Sequence, residues 1–577
     1  MASGLLGSAE WDPWQGYEAK DGLAGNGLVF GCPLFPDSER WTKPNKANIL
    51  AWPPNRHFFS VASTRSGKGV SLIIPNLLQY RGSCIVIDPK GENAWITAQY
   101  RRDELGQKVH ILDPWGEVNR RYGDLAGQKE TISRFNPLSI LDPESPHYAE
   151  DIAYLADAII INQGKEPHWD DSARELVAGL IAFTVEQHAQ DENAPPPSLP
   201  LLRLLLTQPA EKISGLAETA QALGAESVAA RKLGRFATYS REVGSIVSTA
   251  LTQTAIFDSR TLEESLSHSD FSFDDLVTGR ATIYLVLPVD KLQTYGRWLR
   301  LMVSIGIRTV ARNVRPLDLP VLFMLDEFGT IGRLSAVAQA YGLMAGLQMC
   351  IWAFVQDLVQ LRRDYPDDWE TFIGNSEGVS FFNIMDQFTC EYLSRMLGTE
   401  TVERISQATA EKRQGGFLKP SDPNYMAMAD QVYARALKQP EEIRATMRHI
   451  GTYVSRSVPL RFAKIKYHEE PFFLVRSRPD PHFPDMFPRW KKLREERLAA
   501  MQKENIEKIK AQRQNAIPDF DAAKAMLEAH NFSVKVEGVL SKTITIKWGT
   551  DGTSHTFKSK NAMLEWTREN YPKPPVK

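Results

Sequence analysis

The stretch from His57 to Leu78 leaves the chain few ways to fold. Phe58-Phe-Ser-Val-Ala62 is a short apolar run with strand character, Thr64-Arg-Ser-Gly-Lys-Gly69 is a glycine-bearing turn, and Val70 to Leu78 has helical spacing. A second unit of the same kind follows: the buried strand Ser83-Cys-Ile-Val-Ile-Asp88, the turn Pro89-Lys-Gly-Glu92 and a helix through Tyr100. Short apolar strands that alternate with helices are buried on both faces, which implies a parallel sheet with helices on either side.

Between about 145 and 272 the strand signal vanishes, while Tyr148 to Ile161, Ser172 to Gln187 and Gly244 to Phe257 show helical spacing. This reads as an inserted all-α domain, 145–272, with Ala194-Pro-Pro-Pro-Ser198 as an exposed connection inside it. Strands return at Ala281 to Leu287, Val321 to Leu325, Met349 to Val355 and Gly378 to Asn383, so the α/β sheet is split into parts at 45–144 and 273–488. Residues 1–44, rich in Gly, Pro and Trp, read as an irregular arm with short strands such as Gly27 to Phe30 that covers the sheet. Residues 489–514 read as a charged helical linker; 489–513 hold nine Lys/Arg and four Asp/Glu. The remainder, 515–577, reads as a small α/β C-terminal domain with its own core. In it Phe532, Val534 and Val536 alternate on one strand and Ile544, Ile546 and Trp548 on the next. Asp551-Gly552 turns into a third strand ending at Phe557, and helices from Asp521 to His530 and from Asn561 to Asn570 cover one face.

Composition removes several classes. With 577 residues, 43% of them hydrophobic and 10% aromatic, the chain can bury several domain cores and is not a mainly disordered or fibrous protein. A formal net charge of −2 excludes wholesale electrostatic binding of nucleic acid, so any DNA contact must be local. Cys32, Cys84, Cys350 and Cys390 lie far apart with no C-x-x-C pair, which excludes a zinc ribbon, argues against a disulfide framework and fits a reducing cytosol. The first residues have no basic cluster ahead of an apolar run, and no apolar stretch reaches the ~18 residues of a spanning helix. The expectation is a soluble chain with neither signal peptide nor transmembrane segment.

The turn between strand and helix carries the chemistry. Thr64, Arg65, Ser66, Gly67, Lys68, Gly69 and Val70 stand where backbone N–H groups and a helix N-terminus can face phosphates, and Lys68 would reach the β/γ-phosphates. Relative to G-x-x-x-x-G-K-[ST], Ala62 replaces the first glycine and Gly69 replaces the Mg2+-binding hydroxyl, so an ordinary glycine turn stays open on this motif alone. Val321-Leu-Phe-Met-Leu-Asp-Glu-Phe328 adds a buried strand ending in two carboxylates, the arrangement of a Walker B motif. Asp326 would serve the metal and Glu327 the attacking water. Gln356 ends the next apolar strand and could sense the γ-phosphate, since adjacent strand ends of a parallel sheet converge on the ligand crevice. Asp88, also at a strand end, reads as a cap or turn residue.

These residues carry a resemblance. Ser63-Thr-Arg-Ser-Gly-Lys-Gly-Val70 with Ile74-Pro-Asn-Leu-Leu78, Ile87-Asp-Pro-Lys-Gly-Glu92, Phe135-Asn-Pro-Leu138, Leu325-Asp-Glu-Phe328 and Val355-Gln-Asp-Leu-Val-Gln-Leu361 are similar to the TraG-type coupling proteins of type IV secretion. So are Cys390 to Gly398 with Thr401-Val402, and Gly7-Ser-Ala-Glu-Trp11. The resemblance spans about 5–475. It implies a RecA-like P-loop NTPase sheet, ATP and Mg2+ as ligands, and a hexamer that powers transfer at the cytoplasmic face of the bacterial inner membrane. It implies as partners inner-membrane secretion components, and relaxase-bound DNA or protein effectors as cargo, with the all-α domain contributing to cargo recognition. The family commonly has Gly where Gly69 stands, and its members carry membrane helices ahead of the Gly-Ser-Ala segment. No residue matches an arginine finger clearly; Arg395 is a weak candidate.

Two other readings stay open at this point. One is a recruitment platform that binds nucleotide and hydrolyses little, which the missing hydroxyl at Gly69 favours and the Asp326-Glu327 pair opposes. The other is an FtsK-like DNA translocase. The C-terminal domain, outside the family motifs, reads either as a docking module, for adaptor proteins among others, or as a stabilising appendage.

Overall fold

A computed structural model of the chain describes residues 8–11, 27–34, 49–161, 167–343, 346–404, 431–446, 450–455, 459–516, 519–529, 532–537, 543–548 and 554–570. The chain divides into two compact units, Met1–Met486 and Phe487–Lys577.

The first unit is built on a sheet whose strands, in chain order, are β1 (Leu28–Leu34), β2 (Leu50–Trp52), β3 (His57–Ala62), β4 (Cys84–Ile87), β5 (Lys108–Leu112), β6 (Ala281–Leu285), β7 (Val321–Leu325), β8 (Met349–Val355) and β9 (Ser376–Phe382). A separate antiparallel ribbon pairs β10 (Thr399–Arg404) with β11 (Gln431–Ala436), and β12 (Ile450–Ser455) and β13 (Leu460–Ala463) complete the main sheet. Its order is β2-β1-β13-β12-β9-β3-β8-β7-β4-β6-β5. From β9 to β5 every pair is parallel, and from β9 to β2 every pair is antiparallel. The sheet is therefore mixed, where the sequence suggested a parallel one.

The central parallel strands β3, β4, β7 and β8 carry apolar residues on both faces, and the period of two sorts their side chains into two cores. Phe59, Val61, Ile85, Ile87, Phe323 and Leu325 join the core shared with the helical insertion and the helix Leu292–Arg312. Phe58, Ala62, Cys84, Val86, Leu322 and Met324 join the core under the helices Ile74–Gln79 and Glu92–Asp103. Between β5 and β6 the described residues are helical without a strand, including Tyr148–Ile159, Pro167–Gln190 and Arg241–Thr254.

Within the arm expected over 1–44, the short strand read at Gly27 to Phe30 forms as β1, but it is a strand of the main sheet between β2 and β13 and not a cover over it. Leu28, Val29 and Phe30 are fully buried, and the Phe30 ring sits 4.6 Å from the Trp352 ring. The run Leu-Val-Phe buries enough apolar surface to hold a place inside the sheet, which the Gly and Pro content around it obscures. Residues 1–7, 12–26 and 35–48 of that arm lie outside the described residues.

In the second unit the helix Phe487–Ala516 precedes the helix Phe520–Ala529, the antiparallel strands β14 (Phe532–Glu537), β15 (Thr543–Trp548) and β16 (Ser554–Phe557), and the helix Lys560–Asn570. Ala523, Met526, Leu527, Phe532, Ile544, Ile546 and Met563 form its core. Val536, expected to face inward with Phe532 and Val534, is 43% exposed because β14 is an edge strand. The Asp551-Gly552 turn falls outside the described residues.

Candidate nucleotide site

The chain leaves β3 into a loop closed by its own backbone: the Ser66 N–H donates to the Ser63 carbonyl (3.1 Å) and the Ser71 N–H to the Gly67 carbonyl (2.9 Å). Gly67 has φ of 86°, a conformation that side-chain-bearing residues rarely adopt, and Arg65 is also left-handed at 59°. Among the described residues the N–H groups of Gly67, Lys68 and Gly69 have no acceptor, so they are free to meet an anion.

The helix that follows begins with a π turn, Gly69–Ile73, closed by the Ile74 N–H on the Gly69 carbonyl. Pro75 explains the wide turn. It has no N–H for the Ser71 carbonyl, and its ring would crowd that carbonyl in a regular helix. Next to it, Asn76 is buried and clamps β1. Its Oδ1 accepts from the Val29 N–H (2.7 Å), and its Nδ2 donates to the Val29 carbonyl (2.8 Å) and the Leu72 carbonyl (2.7 Å). Gln79 adds a bond from its Nε2 to the Gly27 carbonyl (2.9 Å).

Because β3, β7 and β8 are parallel neighbours, their C-terminal ends open on one side of the sheet. Lys68, Asp326, Glu327, Gln356 and Thr64 meet there. The Lys68 Nζ lies 2.5 Å from Glu327 Oε1 and 3.0 Å from Asp326 Oδ1. Gln356 Nε2 donates to Glu327 Oε2 (2.9 Å), and Thr64 Oγ1 donates to Gln356 Oε1 (3.0 Å). Glu327 itself is left-handed, with φ of 54°, a strained backbone held by Thr330, whose N–H and hydroxyl both donate to the Glu327 carbonyl.

The charges in this cluster are shifted by burial and by one another. Burial, reinforced by the neighbouring Glu327 charge, pushes the Asp326 carboxyl up despite Lys68. At Glu327 burial works the same way, but Lys68 and the Gln356 hydrogen bond outweigh it and hold the carboxyl below its usual range. Lys68 is raised, since its two acids outweigh its desolvation.

Asp88 accepts from the Ala94 N–H at 2.8 Å and so caps the helix Glu92–Asp103, and burial pushes its pKa up to about 7. Arg395 lies exposed on the helix Gln387–Leu397, its guanidinium 6.0 Å from the Tyr392 ring. An ideal Cβ built on Gly69 meets nothing within 4 Å, so the missing hydroxyl is not a steric necessity.

One participant was not legible in the sequence. Lys464, just past β13, is buried beneath the loop, and its Nζ donates to the Ser66 carbonyl at 2.7 Å. It also sits 4.8 Å from the Phe382 ring centre. The available signal was a lysine inside the apolar stretch Leu460-Arg-Phe-Ala-Lys-Ile465.

Residues 26–508 match the model of the family described as Type IV secretory system Conjugative DNA transfer. The chain belongs to this family. Among curated conjugative transfer relatives, it is 26% identical over 403 residues to the conjugal transfer protein TraG of Escherichia coli, covering 65% of this chain and 60% of that protein. It is 26% identical over 425 residues to Protein VirD4 of Rhizobium radiobacter, covering 72% and 57%. The chain thus spans about 60% of the length of these relatives. The fold is that of the bacterial conjugative coupling protein TrwBdeltaN70 in its unbound monoclinic form, with a TM-score of 0.54, 14% identity, and coverage of 76% of this chain and 93% of that one. The plasmid coupling protein TrwB in complex with ADP and Mg2+ matches with a TM-score of 0.53 and 15% identity, covering 77% and 96%. This is the RecA-like P-loop architecture that the family resemblance implied. Among the described residues no helix is long and apolar enough to cross a membrane.

Proposed function

We propose that this member of the conjugative DNA transfer family is an ATP-hydrolysing coupling protein. It would recruit relaxase-bound DNA, protein effectors or both to a type IV secretion channel at the bacterial inner membrane. One observation carries the reading: a phosphate-type loop with free N–H groups opens beside a cluster that joins Lys68, Asp326, Glu327, Gln356 and Thr64.

The residues suit Mg2+ bound together with phosphates. Among the described residues no set of His, Cys, Asp and Glu side chains could hold a metal alone, yet Mg2+ on a polyphosphate needs only one or two carboxylates. Asp326 would hold it, and the ion would neutralise phosphate charge.

The chain's own groups supply the rest. An arriving polyphosphate draws Lys68 from Glu327 towards the phosphate oxygens, which restores the basicity of Glu327. Glu327, oriented by Gln356, then takes a proton from the water whose oxygen bonds to the γ-phosphorus as the bond to the ADP oxygen breaks. Gln356, bridging Thr64 and Glu327, is placed to report whether a γ-phosphate is present. Assembly into a hexamer would complete each site from a neighbour.

The test is nucleotide binding and hydrolysis by the purified chain and by Lys68→Ala. Lys68→Ala is expected to keep the fold and lose ATP turnover; retained turnover would refute the loop assignment. A second reading, a recruitment platform that hydrolyses little, is favoured by Gly69. ATP bound by the unaltered chain but not turned over, with cargo present, would select it.

A further inference from the structure

Resting on the reading of 63–70 as a nucleotide loop, we propose that Lys464 is a positioning residue that fixes the Ser66–Gly67 peptide from behind, so that the Gly67 N–H faces the phosphates. In a trans peptide the carbonyl oxygen and the N–H hydrogen point to opposite sides. An ammonium held 2.7 Å from the Ser66 carbonyl therefore turns the Gly67 N–H away from Lys464, and that N–H has no other acceptor among the described residues. The bond is charge-assisted, which also polarises the peptide towards an anion on its far side.

The segment clamps the loop at a second point, where the Tyr467 N–H donates to the Val70 carbonyl at 3.2 Å. Two contacts from residues 464–467 thus bracket Ser66 to Val70, reached across the sheet from its antiparallel extension.

The charge balance points the same way. Lys68 is matched by Asp326 and Glu327, whereas Lys464, 5% exposed, faces no carboxylate among the described residues. Its desolvation, with Lys466 as the other charge acting on it, brings its pKa down to about 8. A buried cation without a counter-ion is costly in the empty protein. A polyphosphate in the loop supplies the missing negative charge, so Lys464 favours the nucleotide-bound state over the empty one.

The experiment compares the full chain with Lys464→Arg, which keeps the charged donor, and Lys464→Gln, which keeps a donor and removes the charge. ADP and ATP affinities are measured by titration calorimetry, KM and kcat by steady-state hydrolysis, and the melting temperature without nucleotide by calorimetry. Lys464→Gln is expected to weaken nucleotide binding about tenfold, with the loss in KM rather than kcat. Its nucleotide-free melting temperature should be unchanged or higher, and Lys464→Arg should restore affinity. Equal affinity of Lys464→Gln and the unaltered chain would overturn the proposal. So would a loss of affinity that accompanies a fall in the nucleotide-free melting temperature and is not restored by arginine, since that marks a merely structural lysine. Failure of the unaltered chain to bind any nucleotide would instead bring down the parent reading of the loop.

Discussion

Lys68 and Glu327 form a 2.5 Å ion pair, so the cation of the loop and the carboxylate at the end of β7 neutralise each other. On the reading of Glu327 as a general base, the contact would keep it a poor one while Lys68 stays on it, since its carboxyl is held below its usual range. Glu327→Gln is expected to bind ATP with the affinity of the unaltered chain and to lose about 10²- to 10⁴-fold in kcat, the span of a positioned general base. Turnover at the unaltered rate, measured by phosphate release, would remove Glu327 from the chemistry.

Gly69 invites the opposite kind of change. Its Cβ position is open and its backbone, at the start of the π turn Gly69–Ile73, is not left-handed, so Gly69→Ser should fold with stability close to that of the unaltered chain. The added hydroxyl restores the usual metal ligand of the loop. The Mg2+ concentration giving half-maximal ATP hydrolysis should fall several-fold. An unchanged Mg2+ titration would mean that position 69 is too far from the metal to matter.

The burial of Asp88 gives a pH signature. Its folded pKa, about 7, stands above the unfolded carboxyl value because of burial, aided by the charges of Glu92 and Asp326 and opposed by the N–H groups of Ala94 and Asn93. A raised folded pKa means that Asp88 contributes stability in acid and loses it as pH rises through about 7. Asp88→Asn keeps an acceptor for the Ala94 N–H and cannot ionise. Relative to the unaltered chain it should gain stability, by roughly 2 to 3 kcal/mol, on going from pH 5 to pH 8. Parallel pH dependences in denaturant titrations would show that Asp88 stays ionised.

The second unit has a separate core built from Leu527, Phe532, Ile544, Ile546 and Met563. Deleting residues 515–577 removes that core without cutting a strand of the main sheet. Basal ATP hydrolysis is expected to stay unchanged while transfer of some cargoes falls in a secretion assay. Unimpaired transfer of every cargo would dismiss a docking role for this unit.

Much of the site was readable in the sequence because its residues end strands. The runs Val321 to Leu325 and Met349 to Val355 are apolar throughout and Phe58 to Ala62 is so but for Ser60, so each boundary is sharp and the polar residue beyond it marks the crevice. The antiparallel half was harder. Strands β12 and β13, Ile-Gly-Thr-Tyr-Val-Ser and Leu-Arg-Phe-Ala, are short and interrupted by polar residues, and their partners β1 and β9 are distant in sequence. Lys464 shared that fate: its role depends on a hydrogen bond to a residue 398 positions earlier, which no local pattern records. The burial of β1 was hidden for the same reason, since Asn76 and the Trp352 ring that accept it lie in other elements.

The Asn76 clamp also has a mechanical consequence. An amide that grips both the N–H and the carbonyl of Val29 acts as a stiff two-point coupling, loaded in shear when strand and helix slide past each other. The helix it belongs to follows the loop 63–69, and Gln79 adds a single bond to the Gly27 carbonyl, just ahead of the strand. In the proposed nucleotide cycle, a displacement of that helix would drag residues 27–29 with it or break these bonds. On the proposed reading the strand would serve as a drive rod, by which work done on a phosphate at one end of the helix would be delivered as a pull on residues 27–29.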